Sequence, residues 1–290
     1  MDVKEELAKY YKRFPKKQIS IKGKPFEYRY LKNADADKTL IFLTGGLGLS
    51  DLCYRYVSEF SKDFSVAVFD YPVAFRSNEQ LADAIAVLIK YTEMKNVWLV
   101  GQSYGGMIAQ VTAKRHPECV NGLVLSNTGT LASDMKFDGI ENLYAMMKKA
   151  QKFRDKYDKH MPMFILKPML RQGIKMKLGK QDKSLCDFIM KFMDCAFDQY
   201  TNEYLWHMDN LLADLRNEWG FKPEDFAYLK GKVLLMLSDD DKTFNQDVKD
   251  SLIKVMPQPK VRTDLTGGHL AMFFCRDEYM KTVRKFIKEA

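Results

Sequence analysis

The sequence lacks the usual marks of several function classes. Neither a Gly-x-Gly-x-x-Gly loop nor a Gly-Lys-Ser/Thr loop occurs in its 290 residues, so the common phosphate-binding signatures are missing. No run approaches the roughly 18 apolar residues of a membrane span. The N-terminus, Met1-Asp2-Val3-Lys4-Glu5-Glu6, has no apolar signal-peptide core. Cysteine is sparse: Cys53, Cys119, Cys186, Cys195 and Cys275 form an odd, scattered set. They suggest no disulfide framework and point to a reducing cytoplasm. No Cys/His spacing resembles a zinc site, so neither a metal nor another cofactor is expected. There are no internal repeats and no low-complexity tracts. Histidine is also rare, with four in the chain, so each imidazole can be weighed singly.

Apolar residues make up 46% of the chain, enough for one large α/β domain carrying an insertion. The net charge is +8 and unevenly placed. Between Lys148 and Lys183 twelve Lys/Arg face only Asp155, Asp158 and Asp182, so this segment alone is +9. It reads either as a solvated helical surface or as an attractor for an anionic substrate, an anionic membrane surface or an acidic partner. Nucleic acid is not expected, because no recognised binding module is present. Nothing in the sequence fixes the oligomeric state.

Taken in order, residues 2–14 read as an amphipathic helix ended by Pro15, and strands are expected at 18–22 and 26–31. The apolar stretch 39–43 runs into Thr44-Gly45-Gly46-Leu47-Gly48. Such a loop exposes backbone N–H groups and suits half of an oxyanion hole or a phosphate cradle. Strands at 66–69, 98–100 and 122–125 alternate with helices, which implies a parallel sheet covered on both faces. From 134 to 220 the rhythm is helical, with helices expected over 138–157, 163–178, 184–199 and 201–219. Strands resume at 233–237 and 260–265, and a helix over 277–289 closes the chain.

The strand at 98–100 enters Gly101-Gln102-Ser103-Tyr104-Gly105, and a helix begins at once. Serine in a sharp strand-to-helix turn exposes its hydroxyl, and flanking glycines let strand and helix approach closely. The new helix aims its free N–H groups at whatever the serine attacks. Two further strand ends share this edge of the sheet: the acidic run Asp239-Asp240-Asp241 and His269 in Thr266-Gly267-Gly268-His269. A serine hydroxyl needs a base, and the base needs an acid to hold its tautomer. His116 sits at a helix end beside Pro117, and His160 and His207 lie in the insertion, which leaves His269 as the base.

The order Ser, Asp, His, with an insertion after the sixth of eight strands, resembles the α/β-hydrolase superfamily over nearly the whole chain. The resemblance implies an eight-stranded, mostly parallel sheet, a core of residues 1–133 and 221–290, and a helical cap at 134–220. It implies a serine hydrolase cleaving an ester or related acyl bond through a covalent acyl-enzyme, with Ser103, His269 and Asp241 catalytic. Asp240 is the alternative acid, because Ser238 replaces the glycine of the family's Gly-x-x-Asp pattern. The Gly46 and Tyr104 N–H groups map onto the family's oxyanion hole. Acyl transfer or C–C hydrolysis would use the same residues. Two departures stand out: Thr44-Gly45 replaces His-Gly, and Asp70-Tyr71-Pro72-Val73-Ala74-Phe75 lacks the glycines of Asp-x-x-Gly-x-Gly. With Thr266-Gly267-Gly268 before the histidine, these features resemble a maspardin-like branch. Its members are thought to be binding proteins without the triad histidine, so a non-catalytic adaptor is the rival reading. His269, however, is present here.

The cap is expected to admit an apolar, medium-length acyl or aromatic substrate. It contains Met161, Met163, Met169, Met176, Met190 and Met193, whose flexible thioethers suit an apolar pocket or an ordinary helical core. Pro162 and Pro168 argue against an unbroken helix over 161–170, which is expected to be a movable entrance loop.

Overall fold

The structure, a computed structural model, describes residues 2–133, 162–178 and 183–290, together with Lys148 and Lys152. Helix α1 (Val3–Arg13) precedes the antiparallel pair β1 (Lys16–Ile21) and β2 (Lys24–Leu31). Then come β3 (Thr39–Leu43), α2 (Tyr54–Phe60), β4 (Ser65–Val68), α3 (Asn78–Tyr91), β5 (Val97–Gln102), α4 (Tyr104–Arg115) and β6 (Gly122–Ser126). Next in the described chain come α5 (Met163–Leu178), α6 (Lys183–Phe197) and α7 (Asn202–Asp214). The fold closes with β7 (Val233–Met236), α8 (Gln246–Val255), β8 (Lys260–Arg262) and α9 (Arg276–Glu289). The eight strands form one sheet in the order β1-β2-β4-β3-β5-β6-β7-β8. Every pair from β4 to β8 is parallel, while β2 pairs antiparallel with both β1 and β4.

The central strands are apolar throughout because both faces are covered. Side chains alternate across a strand. Ile41, Leu43, Leu99, Leu123 and Leu235 therefore pack with α3, α4 and α8 on one face. Leu40, Phe42, Trp98, Val100, Val124 and Leu234 pack with α1, α2 and α9 on the other.

The helical segment between β6 and β7 is consistent with a cap. Its two ends are fastened together: Ala132 and Phe221 form a parallel bridge. The Gly220 and Phe221 N–H groups both donate to the Leu131 carbonyl at 2.8 Å. Of the helix expected over 138–157, Lys148 and Lys152 are described and helical, and the remainder, like Met161, lies outside the described residues.

Two local expectations are corrected. The last strand ends at Arg262, not 265, and 263–265 continue as irregular chain toward the His269 turn. The segment around Pro168 is helical, not an entrance loop, since α5 runs unbroken through that proline. Proline removes one donor, and the carbonyl left over belongs to Phe164, four residues back. Phe164 and Pro168 are both exposed, so this turn faces water that can take the bond. Pro162 stands just before the helix, and its carbonyl accepts from the Ile165 N–H at 2.9 Å.

A side chain at Gly105 would meet the Leu43 carbonyl oxygen at 2.0 Å, a backbone contact that cannot swing aside. Gly105→Ala should therefore lower the urea midpoint by the equivalent of about 1–3 kcal/mol, the usual range for forced overpacking. Gly173 in α5 meets nothing within 4 Å. Gly173→Ala should leave the midpoint unchanged or raise it by roughly 0.5–1 kcal/mol.

Candidate active site

Ser103 sits between β5 and α4 with φ 54° and ψ −121°, a conformation that non-glycine residues adopt only under constraint. A Cβ at Gly101 would lie 2.3 Å from the Gly105 carbonyl oxygen. The absence of a side chain at Gly101 lets β5 and α4 close on each other, and its absence at Gly105 lets α4 close on the end of β3. The turn is tied from its neighbours: the Ser103 N–H donates to the Ser126 carbonyl at 3.0 Å, and the Thr128 hydroxyl donates to the Ser103 carbonyl at 2.6 Å.

The structure brings Ser103, His269 and Asp241 into one chain of contacts. Ser103 Oγ lies 2.9 Å from His269 Nε2, and His269 Nδ1 lies 3.0 Å from Asp241 Oδ2. A carboxylate only accepts, so Nδ1 carries the proton and Nε2 is left bare to accept the serine O–H. The other Asp241 oxygen accepts the Thr243 N–H at 2.7 Å. Burial pushes the Asp241 carboxyl up, but the hydrogen bonds from His269 and the Thr243 N–H, with the attraction of His269, outweigh it and hold it below the ordinary carboxylate value.

The three neighbouring aspartates take three different places. Asp240, the alternative acid, does not reach His269; its two oxygens accept the Gly267 and Gly268 N–H groups at 2.9 Å each. These glycines have φ of 112° and 58°, so Asp240 braces a left-handed turn that delivers the histidine. The Asp239 N–H bonds the Thr263 carbonyl.

Several supporting residues were not legible as such in the sequence. Asn127, itself at φ 39°, accepts the Ser238 N–H at 2.8 Å and donates to the Gly268 carbonyl at 2.7 Å, linking the ends of β6 and β7 to the histidine turn. Gln102 donates to the His269 carbonyl at 3.2 Å. Buried Lys249 on α8 donates to the Ser238 carbonyl at 2.6 Å.

Four carbonyls of the glycine loop after β3 accept hydrogen bonds. The Thr44 carbonyl accepts from Tyr71 at 2.7 Å, and the Gly45 carbonyl from the Gly48 N–H at 2.8 Å. Two more are taken by the insertion: Tyr200 donates to the Leu47 carbonyl, and Tyr204 donates to the Gly48 carbonyl at 2.7 Å. Tyr71 stands where the resemblance led one to expect glycine-rich chain, so the altered loop supplies a buried hydroxyl instead. Gly46 and Tyr104 border the same cavity as Ser103 and His269. Tyr104 is also the first residue of α4, where the N–H has no intrahelical acceptor.

That cavity measures about 1140 Å³ and lies between the sheet edge and α5–α7. Leu166, Leu170 and Ile174 of α5, Phe188 and Phe192 of α6 and Met208 of α7 are among its apolar walls. Of the named methionines, Met169 and Met193 line it, Met190 is buried and Met176 stands on the surface. Among the described residues no cluster of three or more His, Cys, Asp or Glu could hold a metal ion. No described helix is long and apolar enough to cross a membrane.

A family model described as the alpha/beta hydrolase fold matches residues 38–274. The chain belongs to the α/β-hydrolase family. No curated protein matches its sequence. Among solved structures, this α/β hydrolase is similar to a membrane phospholipase A described as a bacterial virulence factor. The TM-score is 0.72 at 16% identity, covering 99% of this chain and 89% of that one. It is similar to an enol-lactonase from Burkholderia xenovorans, with TM-score 0.72 at 15% identity over 94% of this chain and all of the other. A Bacillus megaterium epoxide hydrolase matches at TM-score 0.68 and 18% identity, again over 94% of this chain and 100% of that chain. At these identities the likeness concerns the fold.

The remaining described histidines lie elsewhere. His116 pairs with Asp83 at 2.8 Å, away from the cavity. His207 is buried on α7 beside Tyr204, and its Nε2 meets no partner among the described residues. Burial lowers its pKa from 6.5 to about 4, against an opposing hydrogen bond to the Tyr71 backbone and with help from repulsion by Arg76. The unfolded chain therefore binds more protons between pH 6.5 and 4, and stability rises with pH across that window. The contribution is complete above about pH 6.5 and should fall by roughly 2 kcal/mol by pH 5. Urea midpoints at pH 7 and pH 5 should show this drop, and His207→Phe should largely abolish it. An equal drop in the variant would remove His207 as the cause.

Proposed function

We propose that this α/β hydrolase is a serine hydrolase that cleaves an ester or related acyl bond through a covalent acyl-enzyme. The observation that carries the reading is the unbroken contact chain Ser103 Oγ–His269 Nε2 and His269 Nδ1–Asp241 Oδ2, at 2.9 and 3.0 Å. Ser103 Oγ attacks the carbonyl carbon while its proton passes to His269 Nε2. Asp241 stabilises the imidazolium without taking the proton. The Gly46 and Tyr104 N–H groups receive the negative charge that develops on the carbonyl oxygen. The tetrahedral species collapses, His269 returns the proton to the departing alcohol oxygen, and the acyl group stays on Ser103. Water, deprotonated by His269, then attacks the acyl carbon and releases the acid, restoring Ser103. We take residues 134–220 as the cap that shapes the acyl site, and the apolar cavity walls favour an apolar acyl group.

Ser103→Ala and His269→Ala should each lower kcat for a p-nitrophenyl ester by roughly a thousandfold or more. Across esters of increasing chain length, kcat/KM should rise by about fourfold per methylene, or 0.8 kcal/mol, until the cavity fills. A folded wild-type protein inert to a broad ester panel would favour the adaptor reading. An added alcohol outcompeting water for the acyl group would favour acyl transfer.

A further inference from the structure

Helix α5 is apolar on two sides. Its inner stripe, Leu166, Leu170, Ile174 and Leu178, follows the four-residue spacing of one helix face, and the first three form cavity wall. A second set of apolar side chains points outward: Phe164 is 76% exposed, Met176 74%, Met169 46% and Ile165 43%. A helix against one core has no need of this second face. Exposed large apolar side chains grouped on one element mark an interaction surface.

The charges on α5 itself share one sign. Arg171 and Lys175 are exposed on α5 between the outer apolar residues, and the helix itself contains no Asp or Glu. Lys167 and Arg171 do reach carboxylates of the neighbouring segment, Asp198 at 3.4 Å and Asp194 at 2.8 Å. Such exposed pairs are weak and exchange readily. Lys167, Arg171, Lys175 and Lys177 all belong to this one helix. Outward aromatic and aliphatic side chains flanked by long cationic ones fit the boundary of an anionic lipid layer.

The outer face is also continuous with the cavity. Met169 is both exposed and a cavity-lining residue, and the exposed Gly173 lines it too. The side of the cavity next to α5 therefore reaches the surface where the apolar patch lies. At about 1140 Å³ the cavity exceeds the roughly 300–1,000 Å³ usual for small-molecule sites, and its apolar wall extends from Ser103 to α5 and α6.

We propose that α5 docks the protein on an anionic lipid surface and admits long-chain acyl esters from that surface to Ser103. The docking stands by itself; the delivery rests on the serine-hydrolase reading. The test uses the full chain and vesicles of phosphatidylcholine with and without phosphatidylserine. Wild type and Ser103→Ala should both float with the anionic vesicles, at least fivefold more than with neutral ones, and high salt should weaken the binding. The double variant Phe164→Glu with Met176→Glu should lose at least tenfold of this binding. It should keep kcat/KM on a soluble butyrate ester within twofold, which shows that it folds, and lose activity on a long-chain ester presented in vesicles. Wild type that does not bind anionic vesicles, or a double variant that binds as well as wild type, would overturn the proposal. So would sedimentation showing that the patch instead joins two copies of the chain. Vesicle binding with no turnover of any ester would leave docking standing and remove the hydrolase reading.

Discussion

The site depends on one close approach. β5, α4 and the end of β3 meet so tightly at the Ser103 turn that Gly101 has no room for a Cβ beside α4 and Gly105 has none beside Leu43. That packing holds Ser103 at a positive φ, lifts its hydroxyl above the sheet edge, and directs the first turn of α4 at the same point. Strain of this kind, on the order of 1–3 kcal/mol, persists only where the surroundings over-determine it. Here they do: the Ser103 N–H is fixed by Ser126, its carbonyl by Thr128, and the strand beneath is buried from Val97 to Gly101.

The rest of the site is a set of braces that bring two distant segments to that hydroxyl. Asp240, Asn127 and Gln102 each hold a different part of the Gly267–His269 turn, while Lys249 fixes the carbonyl just before the acidic run. From the other side, Tyr200 and Tyr204 bond the carbonyls of Leu47 and Gly48, so the glycine loop and the helical segment between β6 and β7 share one hydrogen-bond network. Position in this site is therefore set by the sheet and the helical segment between β6 and β7 together.

The sheet and its helices were legible because central parallel strands are apolar end to end and their alternation with helices is regular. The contact residues Ser103, Asp241 and His269 were legible because each follows a strand in a turn of recognisable chemistry. What stayed hidden had no local signature. Asp240 and Asp241 look alike in sequence, and only the direction of the turn separates the residue that reaches His269 from the one that caps two glycines. The tyrosines of α7 and its preceding turn look like core residues until their hydroxyls are traced to the loop after β3. Pro168 was misleading because proline usually breaks a helix interior, yet on the solvent side of α5 the unpaired carbonyl is open to water.

The most direct measurement is intact and peptide mass spectrometry of the protein quenched during turnover of a p-nitrophenyl ester. One acyl group per chain, on the peptide containing Ser103 and absent in His269→Ala, is the expected result. Ester turnover with no acyl adduct, or with the adduct on another residue, would contradict a mechanism built on Ser103, His269 and Asp241.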